Sequence, residues 1–388
     1  MRAKHFLLLS FLLLAFNLRP ALTVVGPLIG SIHDATGLSS AALGALSSLP
    51  LLAFAAFAPL AHFGRRFGLE RTLAVAMVLL FAGIVLRSSG SIVALYAGTL
   101  VLGAGIAIGN VLAPSLIKRD YAEQVGSLTT VYALILALSA AVASGLAVPL
   151  ERLLPGGWRS SLAVWAVPAA IAAVLWVRVS LQSQAPAVPV ATSTTRSVWC
   201  SPLAWQVTAY MGLQSLTFYV AIAWLPTVMQ DAGYDAAAAG VLITVFQIIS
   251  MVAGAALPRL LSLRRDQSVL AVCAALAITA GVFGLLVYPQ WTIAWLGLTG
   301  IGSGVSFPLA LAFIGLRSTD HHQAASLSLM SQSMGYLLAA FGPVLFGLAH
   351  DISGGWALPL GCWTVCGLLQ GVAGYASGRA RTISGART

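Results

Sequence analysis

Asp34-Ala-Thr-Gly-Leu-Ser-Ser-Ala-Ala-Leu-Gly44 returns 197 residues later as Asp231-Ala-Gly-Tyr-Asp-Ala-Ala-Ala-Ala-Gly240. Three further matches follow in the same order. Leu73-Ala-Val-Ala76 pairs with Leu270-Ala-Val-Cys273, and Gly103-Ala-Gly-Ile106 with Gly302-Ser-Gly-Val305. Gln124-Val-Gly-Ser-Leu128 pairs with Gln323-Ala-Ala-Ser-Leu327. The offset stays at 197–199 residues. One match could be chance; four in order at one spacing mark a duplicated chain whose halves share one orientation.

What is duplicated is a set of membrane spans. Hydrophobic residues make up 59% of the 388 and charged ones 8%, where a soluble domain carries about 25% charged. Apolar runs approach the ~20 residues that cross a hydrocarbon core as a helix. Spans are expected at 6–32, 39–63, 70–88, 91–117, 124–149, 158–177, 202–230, 237–262, 267–288, 290–316, 324–349 and 356–377. The sequence therefore predicts an all-α membrane protein with twelve transmembrane helices in two six-helix bundles. Residues 1–178 form the first bundle, the polar stretch 179–200 a cytoplasmic linker, and 201–388 the second bundle. Arg2 and Lys4 before an apolar run imitate a secretory leader. No small-residue cleavage pattern follows, so this run is read as the first span.

The net charge is +10, but the basic residues sit in short clusters between spans, which argues against nucleic acid. With both termini taken as cytoplasmic, Arg87, Arg152 and Arg159 fall on the outer side and Arg19 inside a span. All the other lysines and arginines, of 20, fall on the inner side, which is the positive-inside pattern. Cys200, Cys273, Cys362 and Cys366 show no zinc or redox spacing and read as small apolar fillers.

Arg19 is the residue most in need of a reason. It stands near the middle of the first span, in Asn17-Leu-Arg-Pro20. A central arginine costs about 2.5–3.5 kcal/mol on insertion scales, and it cannot shed its proton. The sequence offers no mid-span carboxylate to neutralise it, because every Asp and Glu falls in a loop or at a span end. Arg19 therefore either contacts a solute in a wet cavity or is tied to backbone carbonyls. Pro20 denies a hydrogen bond to the Phe16 carbonyl and kinks the helix. Phe16, Arg19, Thr23 and Gly26 share one helical face.

Span seven, its repeat partner, sets Tyr210, Gln214, Thr217 and Trp224 on one face. Asn110, Tyr132, Gln247, Phe307, Gln332 and Tyr336 are further mid-span candidates for a solute site, with Asn17 beside Arg19. Each could equally be packing glue between helices. Gly98, Gly103, Gly105 and Gly109 let helices approach closely and do not form a phosphate loop. Arg65, Arg66 and Arg71, in the basic loop after span two, are candidates for gating or lipid anchoring. His5, His33, His62, His321, His322 and His350 lie near ends or loops, so no proton relay is visible. Facilitated diffusion, exchange or entry of a solute with its own proton all remain open.

Asn17-Leu-Arg-Pro-Ala-Leu-Thr-Val-Val-Gly-Pro27 resembles the first-helix signature of the cyanate permease and 2-nitroimidazole transporter family, within the major facilitator superfamily. Pro114-Ser-Leu-Ile-Lys-Arg119, Ala223-Trp-Leu-Pro226, Gln247, Phe307-Pro-Leu309 and Gln332 are similar to that family's pattern too. The resemblance implies two bundles, alternating access and a small planar or anionic solute such as cyanate. The superfamily's usual loop signature, Gly-x-Leu-Ala-Asp-Arg-x-Gly-Arg-Arg, is degraded here, with His62 or Arg65 where its acid would fall.

The expected function is movement of a small anion or small polar aromatic solute across a bacterial inner membrane; the alternative is an exporter of drugs or metabolites on the same fold. The expected partners are that solute and the lipid bilayer, with no nucleic acid, no cofactor and no metal, in a monomer. A membrane enzyme would need a nucleophile with its base, a metal cluster or paired carboxylates. The sequence presents none of these.

Overall fold

The computed structural model describes residues 2–64, 67–182, 196–263, 266–319 and 321–383. Among them, twelve helices are long and apolar enough to cross a membrane. They are α1 (His5–Thr36), α2 (Ser40–Phe57), α3 (Leu69–Arg87), α4 (Ile92–Ile117), α5 (Ser127–Leu153) and α6 (Trp158–Gln182), then α7 (Pro202–Asp231), α8 (Ala236–Ser262), α9 (Ser268–Val287), α10 (Pro289–Leu316), α11 (Gln323–Ser353) and α12 (Ala357–Gly378). These fall where the apolar runs place them. Large apolar side chains such as Val93, Val174, Val252, Ile293 and Val372 point outward, which is costly in water and cost-free in lipid.

The chain divides into two compact units. One comprises Met1–Gly37, Leu49–Ala191 and Asp235–Thr244; the other comprises Leu38–Ser48, Thr192–Tyr234 and Val245–Thr388.

Within the first unit, small residues bring α3 and α4 into backbone contact. A Cβ on Gly83 would lie 2.7 Å from the Gly98 carbonyl oxygen, and one on Gly105 would lie 2.5 Å from that of Ala76. The second unit repeats the device between α9 and α10. A Cβ on Gly281 would lie 2.7 Å from the Trp295 carbonyl oxygen, and one on Gly302 would collide with the Ala274 carbonyl and lie 2.9 Å from the Ile278 nitrogen. Gly105 and Gly302 each meet a carbonyl and a backbone nitrogen of the facing helix, so both units use the same kind of close helix contact.

A second equivalence lies at the helix ends. In the first unit Arg119 pairs with Glu70 and, at 2.8 Å, with Asp120. The hydrogen bonds it donates to Asp120, helped by Glu70, hold its guanidinium above the ordinary range. In the second unit Arg317 donates to Gln267 Oε1 at 2.6 Å and to the Ser377 and Gly378 carbonyls at 2.8 and 2.9 Å. Gln267 stands where the repeat has Glu70, so an ion pair in one copy becomes a guanidinium-to-amide hydrogen bond in the other. Arg317 compensates by capping the carbonyl end of α12, where a cation is favoured.

Also within the second unit, Asp351 caps the start of α2. It accepts from the Ser40 and Ala41 nitrogens at 3.1 and 2.8 Å, and the Ser40 hydroxyl lies 3.2 Å from His350 Nδ1.

Several expectations need correction. Arg87, counted among the outer-side charges, is 1% exposed inside the first unit. Arg317 is equally buried. Cys200, Cys273 and Cys362 are exposed and Cys366 partly so, at the outer surface of the helices rather than in the interior. Arg71 is exposed. The proposed gating residues Arg65 and Arg66 lie outside the described residues, as does 183–195 of the linker.

Candidate functional site

The first span does not run as one helix. Regular helix ends at Asn17, a short helix covers Pro20–Thr23, a tight turn covers Gly26–Leu28, and Ile29–Thr36 completes the span. Pro20 and Pro27 cause the breaks, because neither can donate to the carbonyl four residues earlier. Polar groups inside a membrane protein must still be satisfied, so neighbouring helices supply the donors. Ser144 Oγ of α5 donates to the Thr23 carbonyl at 3.2 Å, the carbonyl that Pro27 leaves open. Arg87 Nη1 of α3 donates to the Ala21 carbonyl at 2.6 Å. Thr23 Oγ1 donates to the Ala140 carbonyl at 3.1 Å. Asn17 Nδ2 donates to the carbonyls of Leu13 and of Pro168 in α6, at 2.8 and 3.2 Å.

Asn17 and Thr23 thus hold the broken helix in place with the polar groups that a solute would otherwise use. Both are 3% exposed. Arg19 sits at the break itself and is only half-buried. It lies within electrostatic range of the hydroxyl of Tyr132 in α5. That hydroxyl donates to Asn110 Oδ1 of α4 at 3.1 Å, leaving the Asn110 amide nitrogen as a donor. Aromatic rings flank the group: Phe11 lies 5.8 Å from Tyr132 and Phe16 lies 6.4 Å from Trp165, centroid to centroid. Three residues distant in sequence, Arg19, Asn110 and Tyr132, are therefore gathered in one unit around a fixed positive charge.

The second-unit candidates are arranged differently. Tyr210 is fully buried, its ring 5.3 Å from Phe313. Thr217 Oγ1 donates to Gln370 Oε1 at 3.2 Å, Gln370 Nε2 donates to Ser306 Oγ at 3.0 Å, and Ser306 Oγ donates to the Gly302 carbonyl at 2.8 Å. The Tyr210 hydroxyl lies beside Ser306 and Gln370 without a well-formed bond of its own. This closed chain binds α7, α10 and α12 together.

Gln214 is 2% exposed and turns back on its own helix, donating to the Met211 carbonyl at 3.1 Å and Ser215 Oγ at 2.7 Å. Gln247 is buried. Phe307 and Gln332 are half-buried, and Gln332 Nε2 donates to Ser328 Oγ at 2.8 Å. Tyr336 is buried, its ring 6.5 Å from Tyr219. Trp224 Nε1 donates to the Pro343 carbonyl at 2.9 Å.

Sequence reasoning missed two residues. Gln370, the amide at the centre of the second-unit chain, carried a visible signal as a polar residue deep in the last span. Arg87 carried none, since its position beside a loop reads as exposed. No group of three or more His, Cys, Asp or Glu able to hold a metal occurs among the described residues.

Residues 8–378 match the family model described as Major Facilitator Superfamily. The chain belongs to the major facilitator superfamily. It is 42% identical over 380 residues to the 2-nitroimidazole transporter of Escherichia coli K12, covering 97% of this chain and 96% of that one. It is 28% identical over 367 residues to the cyanate transport protein CynX of the same organism, covering 93% and 94%. The crystal structure of a D-xylose-proton symporter superposes with a TM-score of 0.78 at 15% identity, covering 96% of both chains. That likeness shows the fold. The protein is a multi-pass membrane transporter of the major facilitator fold.

Proposed function

We propose that this transporter moves a small anion, cyanate-like, or a small polar aromatic solute across the bacterial inner membrane by alternating access, with Arg19 as the solute contact. The observation that carries the proposal is the placement of Arg19. A permanent cation sits at the break of α1, half-buried, within electrostatic range of Tyr132, whose hydroxyl donates to Asn110. A guanidinium offers planar, paired donors that suit carboxylate-like or cyanate-like anions. The flanking rings suit a flat solute. The solutes named for the two relatives, a nitroimidazole and cyanate, are both small and planar, which supports the same reading here. Both termini are taken as cytoplasmic, and residues 179–200 as the junction of two six-helix halves. Transport requires no covalent step, and none is assigned.

The test is uptake into proteoliposomes by wild type and Arg19→Gln, with the membrane potential clamped, across small anions and matched neutral solutes. Wild type is expected to admit at least one small anion or polar aromatic, and the folded variant to lose it. Equal transport by the variant would make Arg19 structural and favour the exporter reading.

A further inference from the structure

Where the last span ends, the second unit holds a cavity of about 400 Å³ lined by Ser201, Pro202, Leu203, Gln206, Ala376, Arg379, Arg381, Thr382 and Ile383, a size within the range of small-molecule sites. Its two charged lining residues are both arginines. The walls are built. The chain after α12 folds back, with the Ile383 nitrogen donating to the Arg317 carbonyl at 2.9 Å and the Arg381 nitrogen to the Arg379 carbonyl at 2.8 Å. Arg379 is steadied over the Tyr375 ring, 5.1 Å from its centroid. Asp266, the neighbouring acid, accepts backbone N–H groups from Ser268 and Ala380 and offsets Arg317.

The depth of the cavity identifies the kind of ligand. It lies level with the first turn of α7 and the last turn of α12. The aromatic residues there face outward: Trp199 and Trp205 pack edge to face at 6.0 Å and are 41% and 46% exposed, and Tyr375 is 51% exposed. Exposed tryptophan and tyrosine at span ends mark the headgroup level of a bilayer. Arginines at that level attract anionic lipid. Pro202, Leu203, Ala376 and Ile383 add an apolar floor fit for the glycerol end of an acyl chain.

We propose that this cavity is a binding site for the phosphodiester headgroup of an anionic phospholipid, with Arg379 and Arg381 as the phosphate contacts. A soluble phosphate compound would share that chemistry but would have no use for the apolar floor or for the exposed tryptophans at the same helix ends.

The test is native mass spectrometry of the purified full-length protein with phosphatidylglycerol, phosphatidylcholine or inorganic phosphate. Wild type is expected to retain one phosphatidylglycerol in preference to phosphatidylcholine. Arg379→Gln/Arg381→Gln is expected to bind it about thirtyfold more weakly, from two interfacial charges worth about 1 kcal/mol each. Ala376→Trp, which fills the cavity and keeps both arginines, should lose the adduct too; both variants are checked for wild-type melting. Equal retention by wild type and the folded variants overturns the proposal. Displacement of the lipid by millimolar inorganic phosphate would assign the site to a soluble phosphate and overturn the lipid reading.

Discussion

Adding one methyl group should separate packing glycines from merely helical ones. At Gly105 a Cβ would stand 2.5 Å from the Ala76 carbonyl oxygen and 2.8 Å from the Leu80 nitrogen, where ordinary contact begins at 3.4 Å. Both obstacles are backbone atoms of a neighbouring helix, so no side chain can rotate away. α3 and α4 must move apart by nearly 1 Å over this turn. Overpacking of that kind costs about 1–3 kcal/mol, and the rigidity of the obstacles puts Gly105→Ala at the upper end. Replacing glycine inside a helix returns about 0.5–1 kcal/mol, leaving a net loss of about 2 kcal/mol. Gly302→Ala, in the matching helix contact of the second unit, faces the Ala274 carbonyl and Ile278 and should lose as much. Gly361→Ala is the control: it lies in α12 with nothing within 4 Å of a new Cβ, so it should gain about 0.5–1 kcal/mol. The assay is the melting of the detergent-purified variants, read by loss of monodisperse protein on heating. The two packing variants should melt well below wild type, and the control at or above it. If Gly105→Ala and Gly361→Ala shift melting in the same direction, the close helix contact is not what these glycines provide.

The two buried arginines should part company. Arg317→Met removes the donor to Gln267 Oε1 and to the Ser377 and Gly378 carbonyls, of which Gly378 keeps a bond from the Gln267 nitrogen at 2.9 Å, and is expected to cost about 2–4 kcal/mol. Arg87→Met strands only the Ala21 carbonyl and relieves a guanidinium whose Nε and Nη2 have no partner, so stability should stay within about 1 kcal/mol of wild type; thermal melts of both decide it. Tyr132→Phe removes the hydrogen bond to Asn110 and frees that amide. It should raise the KM for an anion several-fold while leaving melting within about 1 kcal/mol, and an unchanged KM would separate Tyr132 from the solute. Asp235 caps α8 through the Ala237 and Ala238 nitrogens, and those bonds, Ala238 first, hold its carboxyl below the usual range. A depressed carboxylate stabilises above its unfolded pKa and ceases to as pH falls through the lowered folded value. The melting temperature should therefore drop below about pH 4, and Asp235→Asn, which keeps a cap without a titrating group, should show a smaller drop.

The spans were legible because lipid imposes length and apolarity on every crossing segment, and the duplication was legible because it repeats whole motifs. The same clarity failed for single polar residues, and the reasons differ. Asn17 and Thr23 share the motif and the face of Arg19, yet their hydrogen bonds go to Leu13, Pro168 and Ala140. The sequence marks Pro20 and Pro27 as breaks but not which neighbouring helix will repair each carbonyl, and only the repair decides which polar groups stay available. Tyr210 and Gln214 lie on one face as the periodicity requires. Burial then closes the one against Phe313 and turns the other back on Met211 and Ser215. Arg87 reads as a loop charge because hydropathy cannot see that its helix ends beside the open Ala21 carbonyl. Arg19 was legible for the opposite reason. A mid-span guanidinium has no cheap explanation within its own helix, so the sequence alone demands a role for it. On the reading proposed above, the break gives that demand a chemistry: a fixed cation near a phenol that itself bonds an amide, the arrangement tested by Arg19→Gln.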